Sequence, residues 1–354
     1  MVTPVRTTLV DLFGFIKKEL VDLSRTQKFY YALAAIAFAA ILPLFISDYV
    51  LSNVLTRMVI FTIYASSWNL LASSGQGSLG HAAFLGIGGF ASALFVSKLD
   101  VPPLIGLFAG SLLSAAIGFL IGLACVRLKA WFLGMVTFGF SVIAVTLVSQ
   151  FDAFTGGIMG FRVPLIVARG VPFYFLTLSF AVLSVFAIYL IMKSKLGLAF
   201  KAIHGNELEA KMSGINTAKY RLIAFVISTF FAGLAGGLYA QSIQYIQISI
   251  FEPYYSFLPL MICVVGGLGT LEGPIIGSVV IVALESYLYK IDSTLHSLLG
   301  SLFPNVSSVG PPLRMLFLGL LLIIMVIFAP KGLTSFIRRA FDYLRGKPSV
   351  VKTQ

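Results

Sequence analysis

The chain has 354 residues, of which 58% are hydrophobic and 11% are charged, and its mean hydropathy is +0.99. Ordinary soluble domains carry about 25% charged residues, so this composition excludes a soluble globular protein and indicates a multi-pass membrane protein. The net charge of +12 does not indicate nucleic-acid binding, because the basic residues cluster beside the apolar segments.

Residues 1–28 come before the first apolar segment and combine Lys17 and Lys18 with nearby aromatic and aliphatic residues. This mixture suits a cytoplasmic amphipathic segment that lies along lipid headgroups. Apolar stretches near the spanning length of about 20 residues then follow along the chain. They lie at 29–50, 54–74, 78–97, 102–126, 130–150, 172–192, 221–243, 255–268, 273–289 and 313–329. The sequence therefore predicts an all-α polytopic membrane protein of about ten transmembrane helices, some of them short or broken.

Most of the 25 lysine and arginine residues fall in segments that lie on one side of the membrane if both termini are cytoplasmic. By the positive-inside rule, the N and C termini and the polar loop 193–221 are expected in the cytoplasm. The predicted organisation is the segment 1–28, a transmembrane domain over 29–330 that includes this loop, and a basic cytoplasmic tail over 331–354.

The loop 193–221 is the one long polar passage inside the apolar part of the chain. Asn206 followed by Glu209 has the spacing of a capping box, in which Asn accepts from free backbone amides and Glu reaches back to the cap. Gly214 supplies the left-handed position that ends a helix. The pattern therefore predicts a short helix of about two turns that is capped at both ends.

Leu208, Met212 and Ile215 are spaced to share one face of this helix, and Glu207 precedes Lys211 by one turn. A helix this short is marginal alone, because nucleation costs more than a few hydrogen bonds return. We therefore expect it to dock on a surface. The pattern leaves open whether this surface is the rest of the protein, the lipid headgroups or a partner.

Two glycine-rich breaks interrupt the apolar segments, at residues 73–89 and 264–277. Both contain a G-x-L-G core, at 77–80 and 266–269. Interrupted hydrophobic segments in two halves of a transporter point to the substrate path, because exposed helix ends can contact polar ligands. The substrate path is therefore expected near Gln76, Gly77, Ser78, His81, Gly267 and Gly269. The alternative is that each break is a tight connection between two spans.

Catalytic and metal-binding patterns are missing from the sequence. None of its 13 carboxylates lies in the middle of a predicted span, and Glu285 comes nearest. Intramembrane charges usually carry protons, ions or substrate, so this disfavours a proton-coupled carrier. No metal-ligand spacing and no phosphate-binding loop is present, so the chain is expected to bind no cofactor and to be no enzyme.

Several segments, taken in order, resemble one family. They are NLLASSGQGSLGHAAFLGIGGFASA, RLKAWFLGMVTFGF, FTGGIMGF, FKAIHGNELEAKMSGINTAKYRLIAFVISTFFAGLAGGLYA, VVGGLGTLEGPIIGSVV and FAPKGL. This series is similar to the LivM-type permease subunit of branched-chain amino acid ABC importers and runs from about residue 69 to residue 333. Residues 1–28 and the end of the tail lie outside the resemblance.

The resemblance implies a multi-pass subunit of a prokaryotic cytoplasmic (inner) membrane. Such a subunit pairs with a related permease, as a heterodimer or homodimer, and binds two ATP-binding cassette subunits that hold ATP and Mg²⁺. It receives substrate from an extracytoplasmic solute-binding protein. The segment NELEAKMSG looks like the family's coupling motif, which implies ATPase contacts by Glu207, Leu208, Glu209, Ala210, Met212, Gly214 and Ile215.

The implied function is ATP-driven import of branched-chain amino acids or related small polar solutes, such as other amino acids, urea or amides. The general importer signature has Glu six residues before the glycine, where this chain has Leu208, and a later proline that is missing here. The alternative function is a secondary carrier or channel that moves a small solute without ATP.

Overall fold

The structure is a computed structural model that describes residues 27–125, 128, 130–299, 310–329 and 332–336. The predicted N-terminal segment 1–28 and the tail 331–354 lie almost wholly outside the described residues, so their expected roles stay predictions. The described chain is a bundle of helices with one very small β-ribbon.

The helices before the polar loop are α1 Gln27–Ile41, α2 Asp48–Ala72, α3 His81–Leu99, α4 Pro103–Cys125, α5 Ala130–Gln150, α6 Asp152–Thr155 and α7 Val171–Lys193. The loop holds α8 Lys195–Gly205 and α9 Glu207–Met212. They are followed by α10 Thr217–Ile243, α11 Pro253–Gly266, α12 Gly273–Leu299 and α13 Gly310–Phe328.

Each of the ten predicted apolar segments contains a helix, but the helices differ in length. Within the described ranges, six are long and apolar enough to cross a membrane: α2, α3, α4, α5, α7 and α10. Shorter apolar helices occupy the other four segments, at Leu33–Leu44, Pro253–Gly266, Gly273–Tyr289 and Met315–Phe328. The polytopic helical architecture is confirmed, while the count of ten membrane crossings stays a prediction.

Strands β1 Phe161–Arg162 and β2 Tyr245–Ile246 pair antiparallel, so the all-α prediction omitted this ribbon. Two residues are too few to show the alternation that identifies a strand in a sequence. The ribbon joins the connection after α6 to the connection after α10.

Helix α10 is the centre of the bundle and packs against α4, α3 and α2. Its glycines allow this, because a Cβ at Gly236 would lie 1.8 Å from the carbonyl oxygen of Leu85, and one at Gly88 would lie 2.2 Å from the Cα of Gly233. Helix α4 takes part in the same contact through a stripe of small residues at every fourth position, namely Gly106, Gly110, Ser114, Gly118 and Gly122. The hydroxyl of Ser114 donates to carbonyls of both α3 and α10. Such stripes let membrane helices approach closely, and this one does so within one chain.

The bundle has two distinct ends. The end with α8 and α9, residues 194–216, is called the loop end, and the end with the β-ribbon is called the far end. The positive-inside rule predicts that the loop end is cytoplasmic.

Candidate functional site

The start of α9 is capped by Asn206. Its Oδ1 accepts from the backbone amides of Leu208 at 3.0 Å and Glu209 at 3.3 Å. The Glu209 carboxylate reaches back as predicted, but it accepts from the side-chain amide of Asn206 at 2.6 Å. The backbone amide of Asn206 already donates to Ala202 at the end of α8. The predicted return of Glu209 to the cap is therefore confirmed, and its partner is the side-chain amide of Asn206 because the backbone amide is used by α8.

The end of α9 is fixed by Gly214, which has a left-handed φ of +81°. The amide of Ile215 donates to the carbonyl of Ala210, and the amide of Gly214 donates to that of Lys211, both at 3.0 Å. These two bonds form a Schellman motif, which satisfies carbonyls that the helix leaves free. The predicted cap is confirmed.

Glu207 anchors α9 to the membrane bundle. It pairs with Lys211 at 2.8 Å on its own helix and with Arg221 at 2.9 Å in the first turn of α10. Thr217 adds a side-chain hydrogen bond at 3.4 Å. The hydrogen bond from Lys211 and the charge of Arg221 hold the pKa of Glu207 below its usual value, although partial burial acts against them.

The apolar residues of α9 are distributed between two surroundings. Leu208 is 67% exposed and Met212 is 83% exposed, whereas Ala210 is buried and Ile215 is half-buried. Exposed apolar side chains on a helix that is fixed at both ends offer a surface for docking. The surrounding protein therefore does not cover Leu208 and Met212.

Helix α8 was not expected from the sequence. It begins at Ser194, whose side chain accepts from the amide of Leu196, and it buries Phe200 and Ile203. This serine followed by apolar residues at helical spacing was the signal that could have predicted it. Helix α8 supports α9 from the side of the bundle.

The first glycine break was predicted over 73–89, and its part before His81, residues 73–80, connects the end of α2 with the start of α3. Gln76 is buried there, and its Nε2 donates to Ser74 Oγ at 2.8 Å and to the carbonyl of Arg221 at 2.9 Å. Gly75 lies against His204 at the end of α8. Gly75 and Gln76 therefore contact the polar loop 193–221.

The connection continues from there to His81, the first residue of α3. The Nε2 of His81 is 3.0 Å from Ser67 Oγ. The carbonyl of Ser67 accepts from Ser228, which lies about 16 Å along the 27-residue helix α10. Helix α3 therefore begins inside the bundle, beside α2 and α10, with its first residue fully buried.

Some polar atoms near this helix start have no hydrogen-bond partner among the described residues. These atoms are the hydroxyls of Ser66 and Ser78 and the Nδ1 of His81, and all three side chains are buried. The ring of Tyr64 stacks on His81 at a centroid distance of 5.2 Å. Buried polar atoms without partners are uncommon. The hydroxyl of Ser78 and the Nδ1 of His81 are therefore candidates for hydrogen bonds with a solute.

The second break was predicted over 264–277, and its part between α11 and α12, residues 267–272, is held by α2. Asn69 accepts from the amide of Gly269 at 2.8 Å and donates to the carbonyl of Thr270 at 2.7 Å. Trp68, which precedes Asn69, donates from its indole nitrogen to the carbonyl of Ser78 in the first break at 2.8 Å. One turn of α2 thus holds both breaks, which the sequence analysis did not predict.

Six residues were predicted for the substrate path, and the structure brings three of them to one turn of α2. His81, Ser78 and Gly269 contact Ser67, Trp68 and Asn69, respectively, whereas Gln76 contacts Arg221. Their contact with a substrate stays a prediction.

No cluster of three His, Cys, Asp or Glu side chains that could hold a metal occurs in the part of the chain that the structure describes. Glu285 is buried in α12 and accepts a hydrogen bond from the hydroxyl of Tyr254. At the far end, a cavity of about 110 Å³ lies between the end of α10 and the start of α11.

The family model for the branched-chain amino acid transport system permease component matches residues 50–326. The chain belongs to this permease family. The matched residues include both glycine breaks, all of α9 and the far-end cavity.

Individual relatives of this permease include proteins named as high-affinity branched-chain amino acid transport system permease protein LivM. Those of Salmonella typhimurium and of Escherichia coli K12 are each 26% identical over 349 residues, which covers 90% of this chain and 77% of the relative. The xylose transport system permease protein XylH of Haemophilus influenzae is 31% identical over 130 residues, 35% of this chain and 34% of the relative.

Proposed function

We propose that this permease is the membrane subunit of an ATP-driven importer for branched-chain amino acids or related small polar solutes, including other amino acids, urea and amides. It pairs with a related permease and lies in the cytoplasmic membrane of a prokaryote. Two partner ATPase subunits bind ATP and Mg²⁺, and an extracytoplasmic protein delivers the solute. The family and the LivM relatives support this proposal.

The proposed coupling to an ATPase rests on the exposure of Leu208 and Met212 on the anchored helix α9. Both caps and the Glu207–Arg221 pair fix the helix, so movement of a docked partner would be passed to α10. Burying the two side chains in a partner groove stabilises the complex by about 1.5–3 kcal/mol each. Rigid-body movement of the permease then alternates access to its path.

The test is co-purification with co-expressed cognate ATPase subunits. The double variant Leu208→Ser with Met212→Ser should lower the association constant at least about tenfold. The permease itself should keep its elution volume, because both residues are exposed. The matched control is Met159→Ser, which changes a residue that is 80% exposed at the far end. Unchanged association of the double variant would contradict the proposed docking surface.

A second measurement separates an importer from a secondary carrier or channel. The permease is reconstituted into vesicles with and without its ATPase subunits. Uptake that requires ATP and these subunits supports the importer. Uptake by the permease alone, down or against an ion gradient, would overturn it.

A further inference from the structure

The loop that follows α6 is held against the β-ribbon. Gly156 and Gly160 have left-handed φ values of +69° and +68°, and the amide of Gly160 donates to the carbonyl of Gly156 at 3.0 Å. A Cβ at Gly160 would overlap a carbonyl oxygen of β2. The hydroxyl of Tyr245, also in β2, donates to the carbonyl of Met159. Residues 156–160, which are called the tip loop, are therefore fixed by backbone geometry and by contacts with the ribbon.

The tip loop exposes two large apolar side chains. Ile158 is 71% exposed and Met159 is 80% exposed, although the backbone around them is fixed. Exposed apolar patches mark interaction sites, and a fixed backbone loses little conformational freedom when it binds a partner. The tip loop is therefore suited to docking.

An arginine lies directly after the tip loop, in β1. Arg162 is opposite Tyr245 in the ribbon, so both side chains lie on one face of it. Arg162 is exposed, and it makes no ion pair within the part of the chain that the structure describes. Asp152, at the start of α6, lies against Gly157 instead. Arg162 is therefore available to bind a carboxylate of a partner.

The far-end cavity adjoins the ribbon and shares Tyr245 with the contacts of the tip loop. Gln247 and Ser249 also line the cavity, and its volume is about 110 Å³. Hydroxyl and amide groups do not suit lipid chains, which cannot form hydrogen bonds with them. Protein interfaces, by contrast, combine apolar residues with hydrogen-bonding groups and are enriched in Met, Arg and Tyr. The surroundings of the tip loop therefore favour a protein partner over lipid.

We infer that the tip loop, Arg162 and the far-end cavity form the docking surface for the extracytoplasmic solute-binding protein. Ile158 and Met159 pack on apolar residues of this partner, Arg162 binds one of its carboxylates, and the cavity receives one of its polar side chains. The surface lies at the end of α10 opposite to α9, which the positive-inside rule predicts outside the cytoplasm. This inference rests on the proposed transport function, and it adds the position at which the partner binds.

The test measures the binding of the purified cognate solute-binding protein to the complete transporter in lipid nanodiscs. The double variant Ile158→Ser with Met159→Ser should raise the Kd at least about tenfold, because two apolar side chains are no longer buried in the complex. The matched control is Leu44→Ser with Phe45→Ser, just before α2 at the far end, where the two side chains are 79% and 83% exposed. The control should keep the wild-type Kd. Equal Kd values for the wild type and the tip-loop variant would overturn the inference, and so would an equal loss in the control.

The role of Arg162 is tested by salt. The wild-type Kd should rise between 50 mM and 500 mM NaCl, because salt screens exposed charge pairs. Arg162→Gln should raise the Kd at low salt at least about threefold and make it less dependent on salt, whereas Arg162→Lys should restore most of both. An unchanged Kd and salt dependence in Arg162→Gln would contradict the proposed carboxylate contact.

Two other occupants of the tip loop would give different results. If the loop lies in lipid, a nitroxide on Met159→Cys should collide more with oxygen than with a water-soluble nickel chelate when no binding protein is present. If the loop contacts the paired permease, the tip-loop double variant should lose this subunit during co-purification. Either result would overturn the inference.

ATP-dependent uptake of L-leucine by the complete transporter in vesicles tests the proposed function separately. Binding that depends on the tip loop, without ATP-dependent uptake, would support the docking surface and contradict the importer. ATP-dependent uptake with equal Kd values for the wild type and the tip-loop variant would contradict the docking surface and leave the importer intact.

Discussion

Glu207 and Arg221 form an ion pair with 2.9 Å between Oε2 and Nη2, and the carbonyl of the same arginine accepts from Gln76 Nε2 at 2.9 Å. One residue in the first turn of α10 thus contacts both the predicted coupling helix and the break that leads toward His81. Displacement of α9 by a docked partner would therefore act on α10 and on this break together.

The anchoring of α9 should depend on pH through Glu207, whose pKa is held below its usual value of 4.5. A lowered carboxylate pKa adds stability above the unfolded pKa, and this stability is lost as the pH falls through the folded pKa. A spin label on Met212→Cys should keep constant mobility down to about pH 4.5 and become more mobile below it. With Glu207→Gln the label should be mobile throughout. A step at neutral pH, or one that persists in Glu207→Gln, would contradict this assignment.

Gly214→Val should weaken ATPase association while leaving the membrane bundle folded. Nothing lies within 4 Å of a Cβ at this position, so the effect comes only from the φ of +81°. Left-handed backbone costs an L-residue about 1–2 kcal/mol, and a β-branched residue more. Co-purification measures the loss. The control is Gly205→Val at the end of α8, where a Cβ also meets nothing and φ is not positive. Co-purification of Gly214→Val at the wild-type ratio would contradict the prediction.

The sequence predicted α9 well because its signals are local. A cap, an ion pair one turn apart and a terminating glycine each act within about two turns of helix. The pattern did not say which group of Asn206 would bind Glu209; the side-chain amide does so, because the backbone amide of Asn206 donates to α8. Whether a donor is free depends on the neighbouring element, which capping patterns do not encode.

The burial of the start of α3 inside the bundle and the joining of the two breaks depend on contacts between distant parts of the chain. Asn69 lies 200 residues from Gly269, and Tyr64 lies 191 residues from Tyr255. Periodicity identifies apolar segments but not the depth at which a break between them lies. The sequence therefore indicated that the breaks were important, while the contacts of Asn69 and of Tyr64 were visible only in the structure.

Asn69→Ala should destabilise the membrane bundle. It removes both bonds to residues 269 and 270 and leaves two backbone groups without this partner, at about 1–3 kcal/mol in total. The thermal midpoint in detergent should fall by about 2–4 °C for each kcal/mol. Ser73→Ala is the matched control, because Ser73 bonds only to a carbonyl of its own helix. Equal midpoints for the two variants would show that Asn69 does not hold the second break.

Gln76→Ala and Ser78→Ala should separate structural from transport roles in the first break. The Gln76 amide is bonded to Arg221 and Ser74, so its loss should lower the thermal midpoint by about 2–4 °C. Among the described residues the Ser78 hydroxyl has no partner, so Ser78→Ala should keep the midpoint and raise the KM for transport. An unpartnered buried hydroxyl has no structural bond to lose, so a change in KM reports contact with the solute. If both variants transport with wild-type kinetics, the solute does not pass this break.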